Sequence, residues 1–69
     1  MKDGCLMNKI TLTGVCKQLR VMRQMGLSIT AFDWKDVAVY RSDRKYFIKV
    51  LRKEFNVKRR IHGFIVCFY

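Results

Sequence analysis

The clearest pattern of apolar and polar positions lies between residues 41 and 60, where it follows the period of an α-helix. At about 100° per residue, one face of this helix is apolar and carries Phe47, Val50, Leu51 and Phe55. The opposite face is basic and carries Lys45, Lys49, Arg52 and Lys53. Ser42 is a typical N-cap residue, and Asn56 can end the helix. The pattern predicts a helix that packs on the core through its phenylalanines and turns a positive strip outward.

The first part of the chain combines an alternating segment with a helical one. Residues 9–13 alternate, with Ile10 and Leu12 on one side, which predicts a half-buried strand. A helical period follows it, opening at Thr13 or Gly14 and running to about residue 25. Gly26 is predicted to end this helix in the left-handed conformation, because glycine has no Cβ to oppose it.

Residues 27–34 alternate again and are rich in β-forming side chains. One side would carry Leu27, Ile29 and Ala31, and the other Ser28, Thr30, Phe32 and Trp34. Asp33, Lys35 and Asp36 interrupt the alternation as a turn would, and residues 37–40 resume it, so we favour a β-hairpin. The alternative is a helix over residues 28–40, which would place Asp33 and Asp36 on its apolar face.

The last nine residues, 61–69, predict a strand that is apolar on both faces. Phe64, Val66 and Phe68 share one face, and Ile61, Ile65, Cys67 and Tyr69 share the other. A strand of this kind is usually covered on both sides. We therefore expect either a homodimer through the C-terminal strand or one face left for a ligand.

These elements give the order β-α-β-β-α-β, one of the recurring arrangements of small α+β proteins. We expect a flexible lead-in over residues 1–8 and a single α+β domain over residues 9–69, with an antiparallel sheet and two helices on one face. If residues 28–40 are helical instead, the fold is mostly helical, with a helix-turn-helix and a C-terminal strand.

Composition narrows the class of protein. A hydrophobic content of 51% argues against intrinsic disorder. No apolar run approaches the ~20 residues of a membrane span, and residues 1–9 lack the apolar core of a secretory signal, so we expect a soluble, cytoplasmic protein. The cysteines Cys5, Cys16 and Cys67 are odd in number and lack metal-site spacing. They predict free thiols, and we expect no metal and no cofactor.

The charge points to a polyanionic partner, with nucleic acid first. The formal net charge is +10, and nine of the fifteen basic residues lie between residues 41 and 60. The predicted phosphate contacts are Arg41, Lys45, Lys49, Arg52, Lys53, Lys58, Arg59 and Arg60. A second patch on the first helix would add Lys17, Arg20 and Arg23.

The aromatic and catalytic candidates add little to this picture. Trp34, Tyr40 and Tyr46 are candidates for base stacking, although packing in the core is the better explanation for each of them. His62 is the only histidine, and Asp33 and Asp36 lack a third group for acid–base or metal chemistry. The sequence therefore predicts no enzyme.

Two functions follow from these observations. The first is a small nucleic-acid-binding module or accessory regulator that contacts the phosphate backbone of DNA or RNA with weak sequence preference. The alternative is a small protein-binding inhibitor or adaptor, similar in type to the accessory proteins of mobile elements. It would act on an acidic or nucleic-acid-associated protein complex.

Overall fold

The computed structural model describes residues 9–69, and the predicted lead-in of residues 1–8 lies outside them. The described chain contains two α-helices, α1 (Leu12–Gln24) and α2 (Arg44–Arg52), and three strands, β1 (Ile29–Asp33), β2 (Asn56–Arg59) and β3 (Gly63–Cys67). Two short 3-10 turns, Trp34–Asp36 and Arg41–Asp43, connect β1 to α2. The protein is a small α+β domain with an antiparallel sheet, as predicted.

The sheet has the strand order β1-β3-β2, with β3 in the centre. Thr30 pairs with Val66 and Phe32 with Phe64 on one side of β3, while Val57 pairs with Val66 on the other. Since side chains alternate along a strand, these residues share one face of the sheet. That face is the floor of the hydrophobic core.

Both helices cover this same face. Val15 and Leu19 of α1 and Phe47, Ile48 and Leu51 of α2 form one buried cluster with Phe64 and Val66. The Phe64 ring lies at the centre, with centroids 5.0 Å from Trp34 and 5.6 Å from Phe47. Neither of the two helices described here packs on the opposite face of the sheet, and Ile29 is 53% exposed there.

The ends of α1 are set by local hydrogen bonds. The Thr11 hydroxyl accepts a hydrogen bond from the Gly14 amide and caps the N-terminus. At the other end Gly26 has φ +83°, as predicted. The Gly26 amide donates to Arg23 O and the Leu27 amide to Met22 O, the pattern of a Schellman motif.

The predicted strand at residues 9–13 is wrong. Because Thr11 caps the helix, Leu12 and Thr13 belong to α1, which opens earlier than Thr13 or Gly14. Ile10 alone keeps a β-type contact, a parallel bridge to Val37. Its amide donates to Asp36 O at 3.0 Å, and its carbonyl accepts from Ala38 N at 2.9 Å.

The predicted hairpin over residues 28–40 is also wrong, although its first strand and its facing are correct as β1. The Asp33 carboxylate accepts a hydrogen bond from the Lys35 amide at 3.1 Å and caps a 3-10 turn. This turn carries Trp34 into the core, and residues 37–40 leave the sheet instead of pairing with β1. The helical alternative does not form either.

The C-terminal third contains the hairpin that was missed. Ser42 lies inside a 3-10 turn instead of capping α2, and Asn56 begins a strand. The element order is therefore α-β-α-β-β among residues 9–69, and not β-α-β-β-α-β. Both edges of β3 are paired within the chain, so a homodimer cannot form by strand pairing along β3. The free edges of the sheet belong to β1 and β2.

Candidate nucleic-acid interface

The exposed face of α2 carries the predicted basic residues, which we call the α2 strip: Lys45, Lys49, Arg52 and Lys53. The buried face of α2 holds Phe47, Ile48 and Leu51, so packing on the core fixes which side faces solvent. Four-residue intervals place Lys45, Lys49 and Lys53 about 6 Å apart along the axis. Among residues 9–69, none of the four forms an ion pair.

The C-terminal end of the α2 strip joins the sheet at β2. The Nε of Arg52 donates a hydrogen bond to the Val57 carbonyl at 3.2 Å. This bond holds the Arg52 side chain against the first residues of β2, so the positive surface of the helix continues onto that edge strand.

The basic run of residues 58–60 divides over two faces of the sheet. Val57 points into the core, so its neighbour Lys58 points to the uncovered face. Arg59 pairs with Phe64 and lies on the helix side of the sheet. Arg60 is exposed where the chain turns into β3, and its amide donates to Gly63 O at 2.8 Å. The structure therefore places Arg59 on the same side of the sheet as α2 and directs Lys58 to the other side.

The predicted second patch on α1 is partly neutralised. Arg20 binds Glu54 with Nη2 to Oε1 at 3.0 Å, and Arg23 binds it with Nη2 to Oε2 at 2.9 Å. The hydrogen bonds from Arg20 are the main reason that the pKa of Glu54 is lowered and that of Arg20 is raised. The two arginines tie α1 to the segment after α2, while Lys17 remains exposed without an ion pair in the described chain.

The aromatic candidates differ sharply in exposure. Trp34 is 5% exposed and packs against Phe47 and Phe64, so it has no free ring face and the predicted stacking role does not fit. Tyr40 is 80% exposed and Tyr46 is 64% exposed. Arg41 is exposed directly after Tyr40. Stacking by Tyr40 and Tyr46 stays a prediction.

The structure also brings together three cations that sequence reasoning missed. Lys9, Lys35 and Arg44 line a groove of about 510 Å³ together with Trp34 and Tyr40. The Arg44 guanidinium lies 5.0 Å from the centre of the Trp34 ring, and its buried Nε has no hydrogen-bond partner. These cations are far apart in sequence, so no local charge pattern could have identified them.

A different groove, of about 600 Å³, gathers Asp33, Asp36, Arg60 and His62. One oxygen of Asp33 is already used to cap the following turn. In the part of the chain that the structure describes, no three His, Cys, Asp or Glu side chains group as a metal site requires. The role that the contacts assign to Asp33 is structural, since it fixes the turn that buries Trp34.

Comparison with known proteins does not add a relative to this picture. No protein-family model, no curated protein and no solved structure matches the chain. Neither helix in residues 9–69 has the length and apolar character needed to cross a membrane.

Proposed function

We propose that the protein is a small nucleic-acid-binding module or accessory regulator that holds the phosphate backbone with the α2 strip. The observation that carries this proposal is a row of exposed cations on α2, to which no carboxylate of residues 9–69 is paired. Asp43 precedes the N-terminus of α2, and Glu54 is held by Arg20 and Arg23. An anionic polymer would relieve the mutual repulsion of these side chains.

The contacts of this surface favour binding with weak sequence preference. Lysine and arginine on the α2 strip reach phosphates through charge, and phosphate contacts position a protein without reading bases. Arg59 on the neighbouring edge strand extends the surface, and Arg41 lies before the N-terminus of α2. If each of the four strip residues contacts one phosphate, and Arg41 and Arg59 contact one each, the surface engages about six phosphates of the backbone.

A salt titration tests the proposal. With about six phosphates engaged on duplex DNA, log affinity should fall against log salt with a slope of about −5. Changing Lys45, Lys49 and Lys53 together to Gln should make the slope shallower by about 3, because each lost phosphate contact removes about one unit. Arg52 is left in place because it also holds the Val57 carbonyl.

The matched control changes the same three lysines to Arg. It keeps the charge and the helix, so the slope and the affinity should stay close to the wild-type values. Circular dichroism confirms that each variant is folded. Wild-type binding that does not change with salt, or equal affinities of the Gln and Arg variants, would refute the proposal.

A second candidate function is supported by the uncovered face of the sheet. Ile29 of β1 is 53% exposed, and Leu27, just before β1, is 41% exposed. Lys58 points to the same side of β2. An apolar surface with a positive rim fits an acidic protein partner, as an inhibitor or adaptor would need.

The two functions are separated by one comparison. The adaptor is favoured if an acidic partner protein stays bound after nuclease treatment. Binding of that partner should then be lost with Ile29→Asp but kept with the Gln variant of the α2 strip. Loss of the partner upon nuclease treatment would favour the nucleic-acid-binding module.

We also propose that the protein acts in the cytoplasm. The support for this is that Cys16 and Cys67 carry free thiols, and reducing compartments keep thiols in that state. Fractionation of cells with an antibody to the protein would test the location directly.

A further inference from the structure

The groove beside Tyr40 combines a positive wall with an exposed aromatic ring. We call it the Tyr40 groove, defined by Lys9, Trp34, Lys35, Tyr40 and Arg44, with residues 37–39 along its base. It lies between the bridge of Ile10 with Val37 and the start of α2. It is separate from the α2 strip, because none of the strip residues lines it.

The charges of the Tyr40 groove favour an anion. Lys9, Lys35 and Arg44 line it, and none of the carboxylates in the described part of the chain does. The nearest acids in sequence do not face it: Asp36 lines the groove on the side of His62, and Asp43 is not part of the lining. The cations are therefore available to a phosphate that enters the groove.

Arg44 gives a specific anchor within the Tyr40 groove. Its guanidinium is stacked over the Trp34 ring, which is itself fixed in the core. Its Nε is buried and lacks a hydrogen-bond partner among the described residues, so this guanidinium has unused hydrogen-bonding capacity. A phosphate in the groove would pair with the guanidinium, because guanidinium and phosphate groups form strong charge-assisted hydrogen bonds.

Tyr40 supplies a platform for a base. Its side chain is 80% exposed, although a tyrosine ring is normally partly buried in a folded protein. Base–aromatic stacking next to a positive groove is the usual way in which proteins hold single strands. The bases of a duplex are already stacked on one another, so their faces cannot reach the ring.

From this arrangement we propose that the Tyr40 groove binds single-stranded nucleic acid, with a phosphate at Arg44, Lys9 and Lys35 and an unpaired base on Tyr40. This proposal rests on the nucleic-acid-binding function proposed above. It adds that the Tyr40 groove selects single-stranded over double-stranded nucleic acid. The α2 strip then provides charge for any backbone, and the Tyr40 groove provides the preference for an unpaired strand.

Trp34 reports on binding without a label. It is the only tryptophan of the chain and lines the groove. The protein is titrated with a single-stranded oligothymidylate of about ten nucleotides and with a hairpin duplex of equal phosphate number. The single strand should change the Trp34 emission and bind more tightly than the duplex.

Tyr40→Leu is the decisive variant. It should weaken single-strand binding about tenfold, within the range for loss of one stacked base, and leave duplex binding unchanged. Tyr40→Phe keeps the ring and should keep the affinity. Tyr69→Leu is the matched control, because Tyr69 is also exposed but lies outside the groove, and the affinity of this variant should stay at the wild-type value.

The role of the cations that line the groove is tested by comparing Lys35→Gln with Lys17→Gln. Lys17 is an exposed lysine on α1 that lies outside the groove. Lys35→Gln should weaken single-strand binding more than the control. The proposal is overturned if Tyr40→Leu and Tyr69→Leu behave alike, if Lys35→Gln behaves like Lys17→Gln, or if the duplex binds as tightly as the single strand.

Failure of the proposed function gives a different result. If the Gln variant of the α2 strip binds the duplex as tightly as the wild type does, the α2 strip does not contact the phosphate backbone. The ratio of single-strand to duplex affinity in the Tyr40 variants would still decide the role of the groove.

Discussion

At the scale of single residues, two glycines hold the fold for different reasons. Gly26 has φ +83° and no neighbouring atom within 4 Å of the place where a Cβ would lie, so only its backbone conformation excludes other residues. Gly63 lies opposite Asp33 in the β1–β3 pair. A Cβ there would overlap the carbonyl oxygen of Phe32, so its restriction comes from close backbone packing where β3 begins beside β1.

We expect Gly63→Ala to lower the free energy of unfolding by about 3 kcal/mol or more, since overpacking against a backbone cannot be relieved by a side-chain rotation. Gly26→Ala should cost about 1–2 kcal/mol, the cost of a left-handed conformation with a Cβ. Urea unfolding of both variants measures the difference. Equal losses would show that β1 can move away from β3 at little cost.

At the scale of elements, α1 is tied to the segment after α2 by one shared carboxylate. Glu54 accepts hydrogen bonds from Arg20 and Arg23, and the Arg23 guanidinium also lies 4.9 Å from the centre of the Phe55 ring. The link lies at the surface, where ion pairs contribute little singly. The link therefore serves mainly to fix the orientation of α1 relative to the C-terminal end of α2.

The pH dependence of stability should reveal this link. The pKa of Glu54 is lowered in the folded protein, mainly by the hydrogen bonds from Arg20. Its contribution is therefore complete above the unfolded pKa near 4.5 and is lost as the pH falls through the folded value. Glu54→Gln should lower the Tm at neutral pH, and the difference from wild type should shrink in acid.

Asp36→Asn is the control for this experiment, because Asp36 forms no ion pair within the described residues. Thermal unfolding followed by circular dichroism between neutral and acidic pH gives the comparison. A difference between wild type and Glu54→Gln that does not change with pH would contradict the link.

Periodicity predicted the elements that have one buried face. The predicted facing of α2 is correct at Phe47 and Leu51, but Ile48 is buried as well and Val50 is only half-buried. The alternation of β1 and β3 is correct, because successive side chains of a strand point to opposite faces. The segment of residues 9–13 failed because one hydrogen bond from Gly14 to Thr11 begins a helix where the alternation predicts a strand. Residues 37–40 failed because a capped 3-10 turn redirects the chain.

The same limit applies to the candidate sites. The α2 strip was visible because its cations repeat on a single helix. The Tyr40 groove was not visible, because Lys9, Lys35 and Arg44 come from three separate segments of the chain that only the fold brings together. The burial of Trp34 depends likewise on contacts with Phe47 and Phe64.

At the scale of the whole molecule, charge is the dominant feature. The formal net charge is +10, and among residues 9–69 the ion pairs involve a single carboxylate, that of Glu54. Most cations therefore repel one another across a domain whose Cα radius of gyration is 12.4 Å. Since the Debye length is about 10 Å at 0.1 M salt, added salt screens most of this repulsion.

We expect the α2 strip to reduce the stability of the free protein. Like charges at four-residue intervals on a helix are destabilising, so changing Lys45, Lys49 and Lys53 to Gln should raise the Tm at low salt by about 2–5 °C. Raising the salt from about 0.02 M to about 0.5 M should raise the wild-type Tm and remove most of the difference. The Arg variant of the three lysines should melt close to the wild type. A Gln variant that is less stable than wild type at low salt would mean that the lysines support the fold through their aliphatic stems. Repulsion among these lysines would then not favour binding of an anionic partner.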